Sequence, residues 1–264
     1  MKRTETDISR TELPSEFDAL VRGAKIYDSS CSPEARVLFI ERDGGYFLKS
    51  ATARSLKKEA ELTRFFHARG LSAEVLAYIS DRDGRDFLLT SRVQGEDLTH
   101  KSYLDEPKRL CDTLAETLRY LHSLDAEDCP VTDRMADYFS LAEQNYRKGI
   151  FDKELFGNDK YKNISADEAW NIVCEGKELL RSDTLIHGDY CLPNVIFDNW
   201  RFSGFIDLGN GGIGDRHVDI FWGAWTLWFN LHTNEYRDRF FDAYGREAIN
   251  EEALRIVELA ETFG

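Results

Sequence analysis

The stretch that decides the fold is LIHGDYCLPNVIFDNWRFSGFIDLGNGG, residues 185–212. Short apolar runs alternate in it with tight polar turns, a pattern typical of short strands joined by loops. Three side chains with oxygen atoms follow these strands, namely Asp189, Asn194 and Asp207. A carboxylate on a loop can orient a hydroxyl or accept its proton. An amide oxygen and a second carboxylate are hard ligands that suit magnesium. One base and two metal ligands are the set that phosphoryl transfer requires.

A phosphoryl-transfer site also needs a cation for the phosphates, and the first ninety residues offer one. Lys49 lies in GYFLKS, an apolar segment that predicts a strand, and Glu59 lies in the helical segment that follows. A strand lysine paired with a glutamate of the next helix holds the α- and β-phosphates in protein kinases. Alone, the two residues would be an ordinary surface pair. Their occurrence together with the three residues above favours the phosphate-binding role.

The two parts of the chain differ in predicted secondary structure. Residues 1–92 are rich in β-branched and aromatic residues, and Asp43-Gly44-Gly45 is a hairpin signal. Apolar residues at helical spacing dominate residues 93–264, outside the stretch quoted above. We therefore predict an α+β fold with a β-rich N-terminal lobe, 1–92, and a larger helical C-terminal lobe, 93–264. The predicted strand segments of the first lobe are 23–28, 36–50, 74–80 and 85–91, of which 36–50 holds two strands joined by the Asp43-Gly44-Gly45 turn, and its one helix is 55–70. The main predicted helices of the second lobe are 106–125, 133–147, 166–181, 217–232 and 250–262.

Composition limits the partners and the compartment. Forty-eight acidic residues against 34 Lys and Arg give a net charge of -14, which disfavours nucleic-acid binding and attracts cationic ligands. The five cysteines are scattered and form no C-x-x-C pair, so we expect a reducing, cytoplasmic setting without disulfides or a zinc site. The most apolar run, 220–231, is shorter than the roughly 20 residues that span a bilayer. The polar N-terminus is no secretory signal. We expect neither a nucleic-acid nor a membrane partner.

The chain resembles the aminoglycoside phosphotransferases, which have a protein-kinase-like fold, and most closely the aminoglycoside 3'-phosphotransferases. HGDYCLPN (187–194) fits H-G-D-x-x-x-x-N, and SGFIDLGNGGIGDRHVDI (203–220) matches the segment after it. LRYLHSLDAEDCP (118–130) and the acid-plus-aromatic end ETFG (261–264) extend the resemblance over nearly the whole chain. It implies a two-lobed kinase-like fold. It also implies ATP- and magnesium-dependent phosphorylation of a hydroxyl on a small cationic molecule, an aminoglycoside, which confers antibiotic resistance.

The resemblance also implies a role for each matching residue. Asp189 orients the acceptor hydroxyl and can take its proton. Asn194 and Asp207 hold magnesium. Lys49 contacts the ATP phosphates and pairs with Glu59.

Further positions are implied for the nucleotide. Phe47 stacks on adenine, and the backbone of Ser91 and Val93 faces the adenine edge. The SSCSPEA turn, which contains Ser30 and Ser32, covers the phosphates. It lacks the G-x-G-x-x-G of protein kinases, so its hydroxyls and backbone amides are expected to bind the phosphates instead.

For the acceptor, the resemblance implies contacts with Asp159, Glu261 and the terminal carboxylate of Gly264. The sequence departs from the family here. Asn210 stands where the 3'-phosphotransferases usually have arginine, Ala260 replaces a customary acid, and Gly264 is an extra residue. These departures leave the phosphotransfer residues intact and the acceptor open. The alternatives are a kinase of the same fold acting on a macrolide, choline or an amino alcohol, and a binding protein without catalysis.

Several residues near the motifs are predicted to be structural. His187 is expected to brace its loop through hydrogen bonds. Asp215 is expected to cap the helix that follows it, and Asp219 to anchor the backbone of the HGD loop. That helix carries tryptophans at every third position, for which we predict core packing: Trp222, Trp225 and Trp228.

Overall fold

The structure is a computed structural model that describes residues 3–8, 13–31, 35–156 and 160–264. In these residues the strands are β1 (Thr4–Glu5), β2 (Lys25–Asp28), β3 (Ala35–Glu41), β4 (Tyr46–Thr52), β5 (Val75–Ser80), β6 (Arg85–Ser91), β7 (Glu96–Asp97), β8 (Thr184–Ile186), β9 (Val195–Asp198), β10 (Arg201–Phe205) and β11 (Gly212–Gly214). The α-helices are α1 (Asp18–Val21), α2 (Lys57–His67), α3 (Lys101–Leu104), α4 (Pro107–His122), α5 (Arg134–Arg147), α6 (Ala166–Gly176), α7 (Arg216–Leu231), α8 (Arg237–Tyr244) and α9 (Glu251–Glu261).

The chain divides into two compact units. The first contains residues 1–100 and 193–209, and the second contains 101–192 and 210–264. The boundary predicted between residues 92 and 93 stays a prediction. Residues 193–209 belong to the first unit, where β9 pairs with β7 and with β10 in one three-stranded sheet.

The main sheet of the first unit has six antiparallel strands in the order β1-β2-β3-β4-β6-β5. Leu48 of β4 is fully buried in the core on one face of this sheet. Because successive strand residues point to opposite faces, Phe47 and Lys49 share the other face. Leu88 lies opposite Lys49 in the ladder and packs against the start of α2. Helix α2 therefore covers the sheet face that carries Lys49.

The small sheet of the first unit positions two of the predicted site residues. β9 and β10 form a hairpin whose turn, Asn199-Trp200, has both φ angles positive, at 49° and 65°. Asn194 directly precedes β9, and Asp207 follows β10 by two residues. The Ile206 amide donates to the Asn194 carbonyl at 3.0 Å, so the hairpin brings the two site residues side by side.

The second unit is mainly helical. Helix α4 packs against α7 and α8, α6 packs against α9, and β8 pairs with β11 in a two-stranded antiparallel sheet. The predicted capping role of Asp215 is confirmed, because its side chain accepts a hydrogen bond from the His217 amide at the start of α7. The α+β class is confirmed as well. Across the described part of the chain, the helices are too short or too polar to be membrane-spanning segments.

Candidate active site

Lys49 is the centre of an ionic cluster in the first unit. Its ammonium donates to Glu59 Oε2 at 2.8 Å and to Asp207 Oδ1 at 2.7 Å. The Lys49 and Glu59 side chains are largely buried, while the Asp207 side chain is 51% exposed. The fold thus brings together three residues that sequence analysis assigned to phosphate and metal binding. Asp207 supplies the part of the cluster that solvent, or a ligand, can reach.

The charges of the cluster shift its pKa values. Burial alone would lower the pKa of Lys49, but the charges of Glu59 and Asp207 outweigh it and hold that pKa above its ordinary value. Burial raises the pKa of Glu59, and the Lys49 charge opposes this. One ammonium between two carboxylates leaves an excess of negative charge. The cluster therefore has a net negative charge that attracts a further cation, although the Lys49 ammonium opposes part of this attraction.

Asn194 and Asp207 form a donor set that fits magnesium. An amide oxygen and a carboxylate are hard ligands, and magnesium keeps several waters besides one or two protein carboxylates. Asp207 has φ of 59°, a left-handed backbone conformation that costs a non-glycine residue about 1 kcal/mol or more and is concentrated at functional sites. Among the described residues, no group of three or more His, Cys, Asp or Glu side chains could hold a metal. A metal here would take its remaining ligands from phosphate and water.

The other residues predicted to bind the nucleotide lie in the same unit, apart from Ser32, which is outside the described residues. The Phe47 ring lies 5.1 Å from that of Phe39, on the sheet face of Lys49. The Ser30 hydroxyl accepts a hydrogen bond from the Val37 amide at 2.9 Å.

At the end of β6, the Ser91 amide donates to the Glu74 carbonyl at 2.9 Å, and the Ser91 hydroxyl accepts from the Glu74 amide at 3.0 Å. Val93 lies two residues further along, beside Gly204. Because the Ser91 amide is already engaged, a backbone contact of this residue with adenine would have to use another group. The adenine-binding roles of both residues stay predictions.

In the second unit, a buried carboxylate holds the loop that carries Asp189. Asp219 of α7 is completely buried, and its two oxygens accept from the amides of His187 and Gly188, both at 2.7 Å. His122 of α4 approaches the same carboxylate, with Nε2 at 3.1 Å from Oδ2. The predicted anchoring role of Asp219 is confirmed. Asp189, directly after Gly188, is partly buried, and its amide lies 3.3 Å from His187 Nδ1, consistent with the predicted bracing by His187.

Glu261 is 72 positions after Asp189 in the sequence, yet the charge of Asp189 acts on its carboxyl group. Its Oε1 accepts from the Tyr138 hydroxyl at 3.0 Å and from the Trp222 indole at 3.1 Å. The pKa of Glu261 is raised to about 7: burial is the largest cause, the charge of Asp189 also raises this pKa, and the two hydrogen bonds lower it. A Cβ built on Gly264 would lie 3.2 Å from Glu261 Oε2. Two predicted acceptor residues therefore lie together, while the third, Asp159, is outside the described residues.

The prediction of core packing for the tryptophans of α7 is wrong. Trp222, Trp225 and Trp228 all remain partly exposed. The indole of Trp225 donates to the Leu155 carbonyl at 2.8 Å. The buried face of α7 is formed by neighbouring positions, including Gly223, which lies against the Phe240 ring. A spacing of three residues indicates one side of a helix, but it does not reveal which side faces the core.

Arg134 contacts the site segment, although no sequence pattern pointed to it. This residue begins α5, is 8% exposed, and donates from Nε to the Asn210 carbonyl at 2.7 Å and from Nη2 to Asn210 Oδ1 at 3.3 Å. Asn210 stands where the resemblance predicts an arginine, and the Arg134 guanidinium contacts this asparagine. The contact joins residues 76 positions apart, and no local spacing in the sequence could have revealed it.

Comparison with solved structures defines the fold. The crystal structure of an aminoglycoside 3'-phosphotransferase of type VIII superposes with a TM-score of 0.74, at 24% identity, over 95% of this chain and all of the other. Aminoglycoside phosphotransferase APH(3'')-Id from Streptomyces rimosus, in complex with ADP and streptomycin, superposes with a TM-score of 0.71, at 21% identity, over 94% of this chain and 97% of the other. The predicted kinase-like α+β fold is confirmed.

Sequence comparison then gives the family. The model of the phosphotransferase enzyme family matches residues 29–257. A Lactococcus lactis protein named "Probable aminoglycoside 3'-phosphotransferase" is 49% identical over 260 residues, which cover 98% of each chain. The chain belongs to the phosphotransferase enzyme family, so the resemblance inferred from its motifs is confirmed.

Proposed function

We propose that this chain is an aminoglycoside 3'-phosphotransferase, an enzyme that transfers the γ-phosphoryl group of ATP to an aminoglycoside hydroxyl and so confers resistance to the drug. The observation that carries the proposal is the shared contact of Lys49 with Glu59 and Asp207. This cluster supplies a phosphate-binding cation and a metal-binding carboxylate at one place. The Lactococcus lactis relative supports the choice of acceptor through its name.

The residues of the first unit bind the nucleotide. Lys49 binds oxygens of the α- and β-phosphates, and Glu59 holds the Lys49 ammonium in place. Asn194 and Asp207 would hold magnesium, which neutralises charge between the β- and γ-phosphates when bound. Asp207 already accepts a hydrogen bond from Lys49, so the same carboxylate links the lysine to the metal position.

Asp189 acts on the acceptor. Its carboxylate accepts a hydrogen bond from the substrate hydroxyl and so directs the oxygen towards the γ-phosphorus. A bond forms between that oxygen and phosphorus, the bond from phosphorus to the bridging oxygen breaks, and its electron pair leaves with ADP. The hydroxyl proton passes to Asp189. Since the transition state is loose, positioning supplies most of the catalysis, and Asp219 contributes by fixing the loop before Asp189.

The acceptor is a polyamine cation. Glu261 and Asp189 place negative charge in the second unit, and the sequence as a whole has a net charge of -14. Single exposed ion pairs contribute little, about 0–1 kcal/mol, but several converging carboxylates can decide specificity. An ammonium next to Glu261 would favour its ionised form, which burial disfavours.

The five cysteines are free thiols, as in a cytoplasmic enzyme that uses the ATP pool.

A coupled ADP-release assay tests the proposal across acceptor classes. Magnesium and ATP are held constant while aminoglycosides, macrolides, choline and amino alcohols are compared. We expect acceptor-dependent ADP release with aminoglycosides that carry a 3'-hydroxyl and none with the other classes. Turnover with a macrolide or an amino alcohol, and none with any aminoglycoside, would refute the proposed acceptor while leaving a kinase of the same fold.

A further inference from the structure

Gly188, the residue before Asp189, is held from two sides within the second unit. Its amide donates to Asp219 Oδ1 at 2.7 Å. Its φ of 80° lies in the left-handed region that favours glycine, and a Cβ built on it would lie only 1.9 Å from the Asn210 carbonyl oxygen. The Asn210 carbonyl thus packs directly on the Gly188 Cα, with no room for any side chain.

Strand register explains why these two residues meet. In the β8–β11 pair, Ile186 lies opposite Gly212 and Leu185 opposite Ile213. Continuing this antiparallel register by two residues beyond Ile186 places Gly188 opposite Asn210. The ladder of hydrogen bonds ends before that point, so another interaction is needed to fix the Asn210 carbonyl against the glycine.

Arg134 provides that interaction. Its Nε donates to the Asn210 carbonyl at 2.7 Å, and its Nη2 donates to Asn210 Oδ1 at 3.3 Å, so the planar guanidinium contacts both oxygens of one residue. A Cβ built on Gly214 would lie 3.4 Å from Arg134 Cβ, which places the arginine stem along β11. Burial of a guanidinium is costly, and here its hydrogen bonds go to the neutral oxygens of Asn210, while the charges of Asp137 and Glu261 offset part of the cost. Fold stability alone gives no reason to prefer such an arrangement over an apolar side chain.

We propose that Arg134 and Asn210 are positioning residues for Asp189: the guanidinium clamps the Asn210 carbonyl against Gly188 and thereby sets the place of the carboxylate on the next residue. We call this contact the Arg134–Asn210 clamp. The inference rests on the proposed function, in which Asp189 acts on the acceptor. It assigns a role in turnover to a residue on α5, far from the HGD motif in sequence.

Three variants and one control test the clamp. Arg134→Met removes both hydrogen bonds and keeps the apolar stem. Arg134→Lys keeps one cationic donor, and Asn210→Ala removes the Oδ1 contact but leaves the carbonyl. The matched control is Arg147→Met, at the other end of the same helix, where the arginine side chain is 72% exposed and pairs with Glu143.

We expect kcat for acceptor phosphorylation to fall about 10- to 100-fold in Arg134→Met, since displacement of a reacting group by about 1 Å can cost 100-fold. Arg134→Lys and Asn210→Ala should lie between this variant and wild type. KM for ATP should change less than about twofold in all of them, because the nucleotide residues lie in the first unit. Arg147→Met should match wild type. The split between kcat and KM for ATP, and the partial recovery with lysine, are results that a purely structural role would not produce.

Wild-type turnover separates the two claims. If wild type phosphorylates no aminoglycoside, the proposed function fails. The same ratios of variant to wild-type kcat are then measured for ATP hydrolysis, in which water replaces the acceptor and the loop at Asp189 is again expected to position the attacking oxygen. The clamp is refuted if folded Arg134→Met keeps kcat within about twofold of wild type, or if Arg134→Lys loses as much activity as Arg134→Met. Should Arg134→Met not fold, Asn210→Ala and Arg134→Lys decide: a wild-type kcat in both refutes the clamp.

Discussion

Lys49 and Asp207 are 158 positions apart in the sequence, yet the Lys49 ammonium donates to Asp207 Oδ1 at 2.7 Å. The contact joins the central strand of the six-stranded sheet to the segment after the β9–β10 hairpin. Within one compact unit, the fold thus places the ammonium proposed to bind phosphate beside the carboxylate proposed to bind a metal. We therefore expect substitutions of Lys49 and Asp207 to affect nucleotide and magnesium binding.

Removing the ammonium should weaken nucleotide binding. Lys49→Met is expected to raise KM for ATP about 10- to 100-fold, because a hydrogen bond to a charged group contributes about 1.5–3 kcal/mol. Steady-state kinetics with varied ATP at saturating acceptor measures the change. Lys57→Met is the control, since Lys57 lies on α2 with a side chain that is 65% exposed and pairs with Glu61. Equal KM values for ATP in the two variants would contradict the role of Lys49.

Asp207→Asn should make activity depend on much more magnesium. The substitution removes the charged ligand but retains the shape, so we expect at least about a tenfold rise in the magnesium concentration for half-maximal activity. A magnesium titration at fixed ATP measures it. The control is Asp198→Asn, an exposed carboxylate at the end of β9. Wild-type activity in excess chelator would argue against any metal at Asn194 and Asp207.

Asp189→Asn should abolish turnover while nucleotide binding persists. We expect kcat to fall about 100- to 10,000-fold, the range for loss of a general base, with the Kd of ATP nearly unchanged. Turnover and equilibrium binding of ATP are measured on the same sample. Asp183→Asn, an exposed residue just before β8, serves as the control. If the Asp189 variant retains kcat within about threefold, another group must act on the acceptor.

The sequence was informative wherever a residue's role depends on its near neighbours. Apolar residues at helical spacing predicted α4, and the H-G-D-x-x-x-x-N spacing singled out Asp189 and Asn194 on one short segment, where their roles stay predictions. The β3–β4 hairpin followed from its Asp-Gly-Gly turn, in which Asp43 adopts φ of 47°. Each of these features is encoded within about ten residues.

Features that depend on distant parts of the chain were not predicted. The pairing of β7 with β9 places 193–209 with the first unit, and the Arg134 contact with Asn210 spans 76 positions. Helix α8 was missed because its eight residues, RDRFFDAY, mix charged and aromatic side chains without a clear apolar period. Such contacts are decided by packing and strand pairing, which local patterns do not report.

Glu261 should give acceptor binding a pH dependence near neutrality. Burial raises the pKa of this carboxyl to about 7, and the groups that face it are Tyr138 on α5, Trp222 on α7, Arg134 and Asp189. If an ammonium of the acceptor binds the ionised form, kcat/KM for the acceptor rises with pH through about 7. Glu261→Gln should flatten this rise. An unchanged pH profile in the glutamine variant would rule out Glu261 as its source.

The raised pKa of Glu261 also predicts that the stability of the fold decreases as pH rises, whereas acceptor binding improves. A carboxyl whose pKa is raised on folding binds its proton more tightly in the folded state, so its contribution to stability is complete below the unfolded pKa of about 4.5 and is lost as pH rises towards 7. The free energy of unfolding should therefore fall with pH in this window, by up to about 1.4 kcal/mol per pH unit from this group. Urea unfolding at several pH values measures it. A slope identical in wild type and Glu261→Gln would contradict the shift.

Identification of the product tests the central claim most directly. Wild-type protein is incubated with ATP, magnesium and an aminoglycoside that carries a 3'-hydroxyl, in parallel with the matching 3'-deoxy compound, and the products are analysed by mass spectrometry and phosphorus NMR. We predict a single phosphate monoester at the 3'-oxygen of the first compound and no product from the second. Phosphorylation of both compounds, or of neither while another small alcohol is phosphorylated, would contradict the assignment of this chain as an aminoglycoside 3'-phosphotransferase.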